Sequence, residues 1–173
     1  MQSAYDTYRP GLIELGYSYP RPVIPGTKLP GYYYPNSNKY LNMTDWTNPN
    51  RPIETLLQPG AGICVLLGKQ ACGNYLIAID WDLDEAALVA MERFPYTVTK
   101  EGAKGFTAFF RASIPIPSQD FKIGGRAAVQ VLSDGRQTVL PPTIHPDIKR
   151  PYQWTSKFTL FDTRFSELPE LPL

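Results

Sequence analysis

Two aspartates two residues apart, Asp80 and Asp82, close an apolar run that begins at Tyr75. Side chains alternate along a strand, so Tyr75, Ile77, Ile79, Trp81 and Leu83 share one face and Leu76, Ala78, Asp80 and Asp82 the other. The second face is apolar at its start and doubly anionic at its end. Burying two neighbouring carboxylates unpaired is costly. A hard divalent cation, Mg2+ or Mn2+, removes the conflict with oxygen ligands. The other reading is a strand that runs into an exposed acidic loop, with Asp84 capping a following helix.

A second set of residues has the chemistry of anion binding. The stretch Lys100-Glu101-Gly102-Ala103-Lys104-Gly105 is a glycine-flanked turn with two lysines. It leads into a strand, Phe106 to Ala112, with Thr107, Phe109 and Arg111 on the face opposite Phe106, Ala108 and Phe110. Backbone N–H groups and the charges of Lys104 and Arg111 suit a triphosphate. A hairpin turn with solvated lysines is the bland alternative. His145 is the only histidine, in the proline-rigid stretch Pro141-Pro142-Thr143-Ile144-His145-Pro146. That setting suits a positioned functional group, against the alternative of a buried structural histidine.

The elements that must position these groups read as follows. A short helix is expected within Ser3–Gly16, with Tyr8, Leu12 and Leu15 at helical spacing and Gly16 as its stop. Tyr17–Pro25 is an edge strand or loop, broken by Pro20 and Pro22. Gly26–Pro30 is a turn presenting Lys28. Residues Gly31–Asn50, rich in Tyr, Asn and Pro, read as an irregular segment whose aromatics pack on the core or stack on bases. Arg51–Gln58 reads as a short helix. Ala61–Gly68 is a strand buried on both faces, expected to pair with the Asp80 strand as a hairpin. Asp84 starts a helix with Ala87, Leu88, Met91 and Phe94 as its apolar stripe, and Pro95 ends it. Short strands follow at Tyr96–Thr99, Asp120–Ile123, Arg126–Leu132 and Gln137–Leu140. The turn Ser133-Asp134-Gly135 has a hairpin signature. On the Arg126–Leu132 strand, Val129 and Val131 want the core, so Gln130 faces the other way.

Composition bounds the class. The 173 residues suit a single domain with a proper core; 43% are hydrophobic and 19% charged, as in ordinary globular chains. A net charge of +1 excludes bulk electrostatic attraction to nucleic acid, so any such contact is local. Two cysteines, Cys64 and Cys72, fit free thiols in a reducing compartment better than a disulfide framework. No apolar run is long enough for a signal peptide or a membrane span, which makes a cytoplasmic protein the expectation. The Pro-rich end suggests a domain over residues 1–160 and a linker or terminal tail over 161–173.

Taken in order, Asp80-x-Asp82, then Gly102-Ala103-Lys104-Gly105-Phe106-Thr107-Ala108-Phe109-Phe110, then Gly135 through Pro146, then Tyr152-x-Trp154 resemble the bifunctional primase-polymerase (prim-pol) domain of phage and plasmid replication proteins. That domain lies within the archaeo-eukaryotic primase superfamily. Gly26-Thr27-Lys28-Leu29-Pro30 resembles that family's early Gly-x-Lys-x-Pro turn, and Pro-Pro-Thr-x-His-Pro is the most specific string. The resemblance implies an α+β fold, a mixed, mostly antiparallel sheet with flanking helices. Asp80, Asp82 and Gln130 lie at a cleft on its open face, and helices near the N-terminus and after Asp84 cover the other face. It implies a DNA primase/DNA polymerase that joins nucleoside triphosphates on a single-stranded DNA template with two divalent ions, Mg2+ or Mn2+. Catalytic positions fall on Asp80, Asp82 and Gln130, metal ligation on Asp80 and Asp82, and nucleotide binding on Lys104, Thr107, Arg111 and His145. A C-terminal helicase or other replication module is the implied partner. Two positions depart: Thr107 stands where the family places histidine, and Gln130 where it places a third carboxylate. Asp134 replaces that carboxylate only if its turn folds back. These departures keep a second class open, a nucleotide- or single-strand-binding module without turnover. A metal-dependent nuclease is the third class, and the Pro-Pro-Thr-x-His string argues against it.

Overall fold

The computed structural model describes residues 2–82 and 92–172. The helix expected to begin at Asp84 lies outside the described residues. Helix α1 (Ala4–Glu14) starts at an N-cap, Ser3, whose hydroxyl accepts from the Asp6 N–H at 3.1 Å and donates to the Asp6 carboxylate at 2.6 Å. Gly16, at φ 98°, lies just past its end, as expected of a helix stop. Strands β1 (Pro20–Val23), β2 (Gly31–Tyr34), β3 (Lys39–Asn42), β4 (Gly62–Leu66), β5 (Gly68–Lys69), β6 (Tyr75–Trp81), β7 (Thr99–Glu101), β8 (Phe106–Ala112), β9 (Gln119–Ile123), β10 (Arg126–Leu132), β11 (Gln137–Leu140) and β12 (Gln153–Trp154) follow.

Three sheets form. The large one runs β12-β7-β8-β6-β10-β9, with β5 paired to the start of β6. A three-stranded sheet runs β1-β4-β11, and β2 with β3 makes a separate hairpin. Every named strand pair is antiparallel. The fold is α+β with mostly antiparallel sheets, as the resemblance implied.

Strand β6 separates two cores, following its alternation. Leu76 and Ala78 join Phe109, Val98, Ile63, Val65 and Leu140 with Tyr5 and Leu12 of α1. Ile77, Ile79 and Trp81 join Ala108, Phe110, Ala112 and Leu171 on the reverse face. Burying each of the larger aliphatic or phenyl side chains contributes about 1.5–3 kcal/mol. The N-terminal helix therefore packs on the same side of β6 as Asp80, a correction to its expected place on the opposite face. Its small apolar stripe needs the Leu76–Ala78 half of the strand, and the carboxylates occupy the other half.

Other expectations shift too. Strands β4 and β6 do not form the expected hairpin; they belong to different sheets, and only Gly68 and Lys69 pair with β6. Gly68, at φ 88°, diverts the chain, and a side chain there would overlap Asp134. The Ser133–Gly135 turn joins β10 to β11, which also lie in different sheets, so it is not a hairpin turn. Residues 31–42 form the β2–β3 hairpin rather than an irregular loop, and 51–58 contain no helix. There Gln58 N–H donates to the Asp6 carboxylate and Arg21, fully buried, donates to the Asn48 and Arg51 carbonyls, so side chains hold this segment. Residues 161–172 pack into the domain instead of leaving it as a linker. Phe165 and Leu171 are buried, and Arg111 pairs with Glu170 at 2.6 Å. Cys64 and Cys72 are free thiols, the first buried and the second exposed.

Candidate active site

Registers across the large sheet bring one row of side chains together. Lys100 on β7 lies opposite Thr107 on β8, Thr107 opposite Asp80 on β6, Asp80 opposite Gln130 on β10, and Gln130 opposite Asp120 on β9. Directly opposed residues of antiparallel strands project on one face. The row is hydrogen-bonded on both sides of a single gap. The Lys100 ammonium donates to Thr107 Oγ1 at 3.2 Å, and the Thr107 hydroxyl donates to Asp80 Oδ1 at 2.9 Å. On the far side, the Gln130 amide donates from Nε2 to Asp120 Oδ1 at 3.0 Å.

Asp82 continues the Asp80 face just past β6, its N–H donating to the Ala128 carbonyl at 2.9 Å. Its carboxylate pairs with Lys104 at 3.0 Å. The turn that carries Lys104 sits hard against the end of β6: Gly105 adopts φ 55°, and a side chain there would overlap the Trp81 carbonyl oxygen.

His145 reaches the same region from the loop after β11. Thr143 pins that loop, accepting the Ile63 N–H at 2.8 Å, and the His145 N–H donates to the Arg150 carbonyl at 2.8 Å. The imidazole is buried, 5.0 Å from the ring of Tyr152. The Lys100 ammonium also lies 5.0 Å from the centre of that ring. His145 Nδ1 accepts from the Asp147 N–H at 3.2 Å, which assigns the proton to Nε2.

The electrostatics follow from burial. Desolvation raises the Asp80 pKa, opposed by Lys100 and by the Thr107 hydrogen bond and reinforced by Asp82. Burial lowers Lys100 to about 8, with Asp80 opposing and Lys28 adding to the fall. Burial also lowers His145, helped by Lys28 and Lys100 against Asp147. Tyr152 is pushed up to about 12 by burial and by the nearby carboxylates of Asp80 and Asp147.

The structure thus gathers Asp80, Asp82, Gln130, Thr107 and Lys104 at one end of the sheet, with His145 joined to them through Tyr152 and Lys100. It does not gather Arg111. That residue lies opposite Leu76, four residues along β8 from Thr107, and is spent on Glu170 and the Leu168 carbonyl. Asp134 is no substitute carboxylate, because it accepts the Lys69 N–H at 2.9 Å beyond the other end of β6. Lys100 and Asp120 were not singled out from the sequence. The alternation of β9 puts Asp120 and Lys122 on one face, but nothing local says which strand it joins. Lys100 reads as a solvated turn residue until Tyr152, some fifty positions later, covers it.

Asp80 and Asp82 are hard oxygen donors on one face, and Gln130 has its amide nitrogen committed to Asp120, with no hydrogen bond to Oε1 among the described residues. This donor set suits Mg2+ or Mn2+. Among the described residues, no three His, Cys, Asp or Glu side chains converge as a preformed metal cage.

Residues 15–172 match the family model described as bifunctional DNA primase/polymerase, N-terminal. The chain belongs to that family. Membership ties it to DNA primase- and polymerase-type function, and hence to DNA and nucleotides. No curated protein matches the chain. Among the described residues, no helix is long and apolar enough to cross a membrane.

Proposed function

We propose that the chain is the nucleotidyl-transfer module of a phage- or plasmid-type cytoplasmic replication protein, making or extending primers on single-stranded DNA beside a helicase or other replication module. The observation that carries this reading is the row centred on Asp80, with Asp82 beside it, in a chain of this family. Asp80 and Asp82 would hold Mg2+ or Mn2+, with Gln130 Oε1 as a neutral third donor. Such ions, when bound, activate the attacking 3'-hydroxyl and steady the triphosphate. The chain's own groups do the rest. Thr107 orients the Asp80 carboxylate, Asp120 orients the Gln130 amide, and Lys104 exchanges Asp82 for a phosphate. His145 offers its Nε2–H to the nucleotide.

A second reading, a nucleotide- or single-strand-binding module without turnover, is favoured by one feature. Asp82 already pairs with Lys104, Asp80 is joined to Lys100 through Thr107, and the third position is neutral. Primer synthesis with labelled nucleotides and Mn2+ separates the two. Product from wild type, lost in folded D80N and D82N variants, is the expected result. Nucleotide binding without product supports the binding module, and template cleavage in place of synthesis points to a nuclease.

A further inference from the structure

The large sheet ends in an open edge. Strand β9 pairs with β10 on one side, and among the described residues no strand pairs with it on the other. All five of its residues, Gln119–Ile123, are exposed. A strand at a sheet edge presents unpaired backbone N–H and C=O groups, a template for another strand. The turn Gly124-Gly125, with φ 56° and 78°, closes β9 and β10 into a tight hairpin that presents this edge. At the opposite end of the sheet β12 is only two residues long, Gln153–Trp154.

The sequence of β9, Gln119-Asp120-Phe121-Lys122-Ile123, complements itself when laid antiparallel to a second copy. With Phe121 opposite Phe121 of that copy, Asp120 falls opposite Lys122 and Lys122 opposite Asp120, while Gln119 meets Ile123. Moving the centre by one residue destroys the match, because Asp120 would then face Asp120, or Lys122 face Lys122. Opposite charges directly across two strands stabilise the pair and like charges destabilise it. The Asp120 carboxylate is held by the Gln130 amide at 3.0 Å, so Lys122 of the second copy would meet an oriented anion. The other face of the strand is apolar and open, with Phe121 46% and Ile123 60% exposed. In this register Ile123 lies diagonal to Phe121 of the second copy, within reach of its ring.

We propose that β9 is the contact strand of a two-fold dimer of this chain, joining two large sheets edge to edge across Phe121. The charge pattern names the occupant: it matches a second copy at one centre and repels that copy at the neighbouring ones. The two-fold axis stands perpendicular to the joined sheet, so both Asp80 rows lie on one face of it. From β6 through β10 and β9 to the β6 of the second copy is about five strand spacings, roughly 24 Å. A five-residue strand from each copy is a small contact beside the roughly 20–30 residues a side of a stable interface. The dimer is therefore weak and fills at high protein concentration. It stands independently of the nucleotidyl-transfer reading.

The test is sedimentation equilibrium of the full chain from about 10 μM to about 1 mM, the range of weak association. The mean mass of wild type is expected to rise toward twice that of the monomer. Lys122→Glu and Asp120→Lys, both at exposed positions, are each expected to raise the dissociation constant at least about tenfold. An equimolar mixture of the two variants is expected to recover the wild-type association, because each then carries the charges the other lacks. A wild type that stays monomeric at about 1 mM overturns the proposal. So do single variants that associate as wild type does, or a mixture no better than its components. Register is read separately by oxidation in a Cys72→Ser background, which leaves only the buried Cys64. Phe121→Cys is expected to form a linked dimer, since directly opposed Cα atoms lie about 4.5–5.5 Å apart, within disulfide range. Ile123→Cys is expected not to, since the two copies of that position are offset by four residues, about 13 Å along the strand. Equal linkage of both variants, or linkage of Ile123→Cys alone, overturns the register and the proposal with it.

Discussion

Gln130→Glu is the most informative single change, because the structure predicts two effects of opposite sign. The new carboxylate would sit where the Gln130 amide now donates to Asp120 at 3.0 Å, and opposite Asp80 on the neighbouring strand. Two unit charges 3 Å apart repel by about 1.4 kcal/mol at the dielectric of water and about 5.5 kcal/mol at an effective value of 20. Asp120 is exposed and Gln130 half-buried, so the lower end applies, plus about 1 kcal/mol for the lost hydrogen bond. Metal-free Gln130→Glu is therefore expected to be less stable by about 2–3 kcal/mol, a fall in melting temperature of about 4–10 °C for a domain of this size. With Mn2+ the same charge becomes a third anionic ligand, and affinity is expected to rise at least about tenfold, or about 1.4 kcal/mol. Thermal melts with and without Mn2+, with a calorimetric Mn2+ titration, read both effects. Adding Asp120→Asn should restore most of the lost stability and keep the tighter Mn2+ binding. If Gln130→Glu changes neither melting nor Mn2+ affinity, Gln130 does not face the carboxylates and the whole row is misread.

Three further outcomes are expected. Lys104→Met removes a cation that competes for Asp82 at an exposed site, so Mn2+ binding in the absence of nucleotide should tighten about two- to fivefold, within the range of exposed ion pairs, while nucleotide binding weakens; a fall in Mn2+ affinity contradicts this. Lys100 is held near 8 in the folded protein against 10.5 ordinarily, so between those values the unfolded chain carries a proton that the folded chain has released, and stability through this group rises with pH across that window. Lys100→Met should accordingly be more stable than wild type below about pH 8, by on the order of 3 kcal/mol, and the gap should fade by about pH 10.5; urea denaturation at a series of pH values would show a constant gap if this is wrong. Arg111→Met should leave nucleotide affinity unchanged but lower the melting temperature and open residues 165–172 to protease, since that side chain holds the C-terminal segment; weakened nucleotide binding at unchanged stability would return Arg111 to the site.

What could be read in advance was what alternation and local punctuation determine. The two faces of β6, the bounds of β8 and β10, the helix stop at Gly16 and the outward turn of Gln130 all follow from period and turn chemistry. What could not be read was which strands meet. The apolar run at Ala61–Gly68 looks the same whether it pairs with β6 or joins a second sheet, and the choice falls to the backbone reversal at Gly68. Lys100 and Asp120 became site residues only through register, one strand either side of residues already suspected. Arg111 failed for the converse reason. It shares a face with Thr107, but it lies about 13 Å along the strand at the usual rise per residue.

The contact between Gly105 and the Trp81 carbonyl bears on how this site can diversify by mutation. Any side chain at position 105 would lever the turn off the end of β6 and carry Lys104 away from Asp82. Gly102 is constrained in the same way, since an added methyl group would press on Tyr152. Side chains at Glu101, Ala103 and Lys104, which are exposed, can therefore change without displacing the backbone of the turn. Insertions are expected to be excluded, because they would lengthen a span set by a backbone contact. New specificity in such a scaffold should accordingly arise by recharging or resizing those three positions, with the glycines as fixed spacers between them.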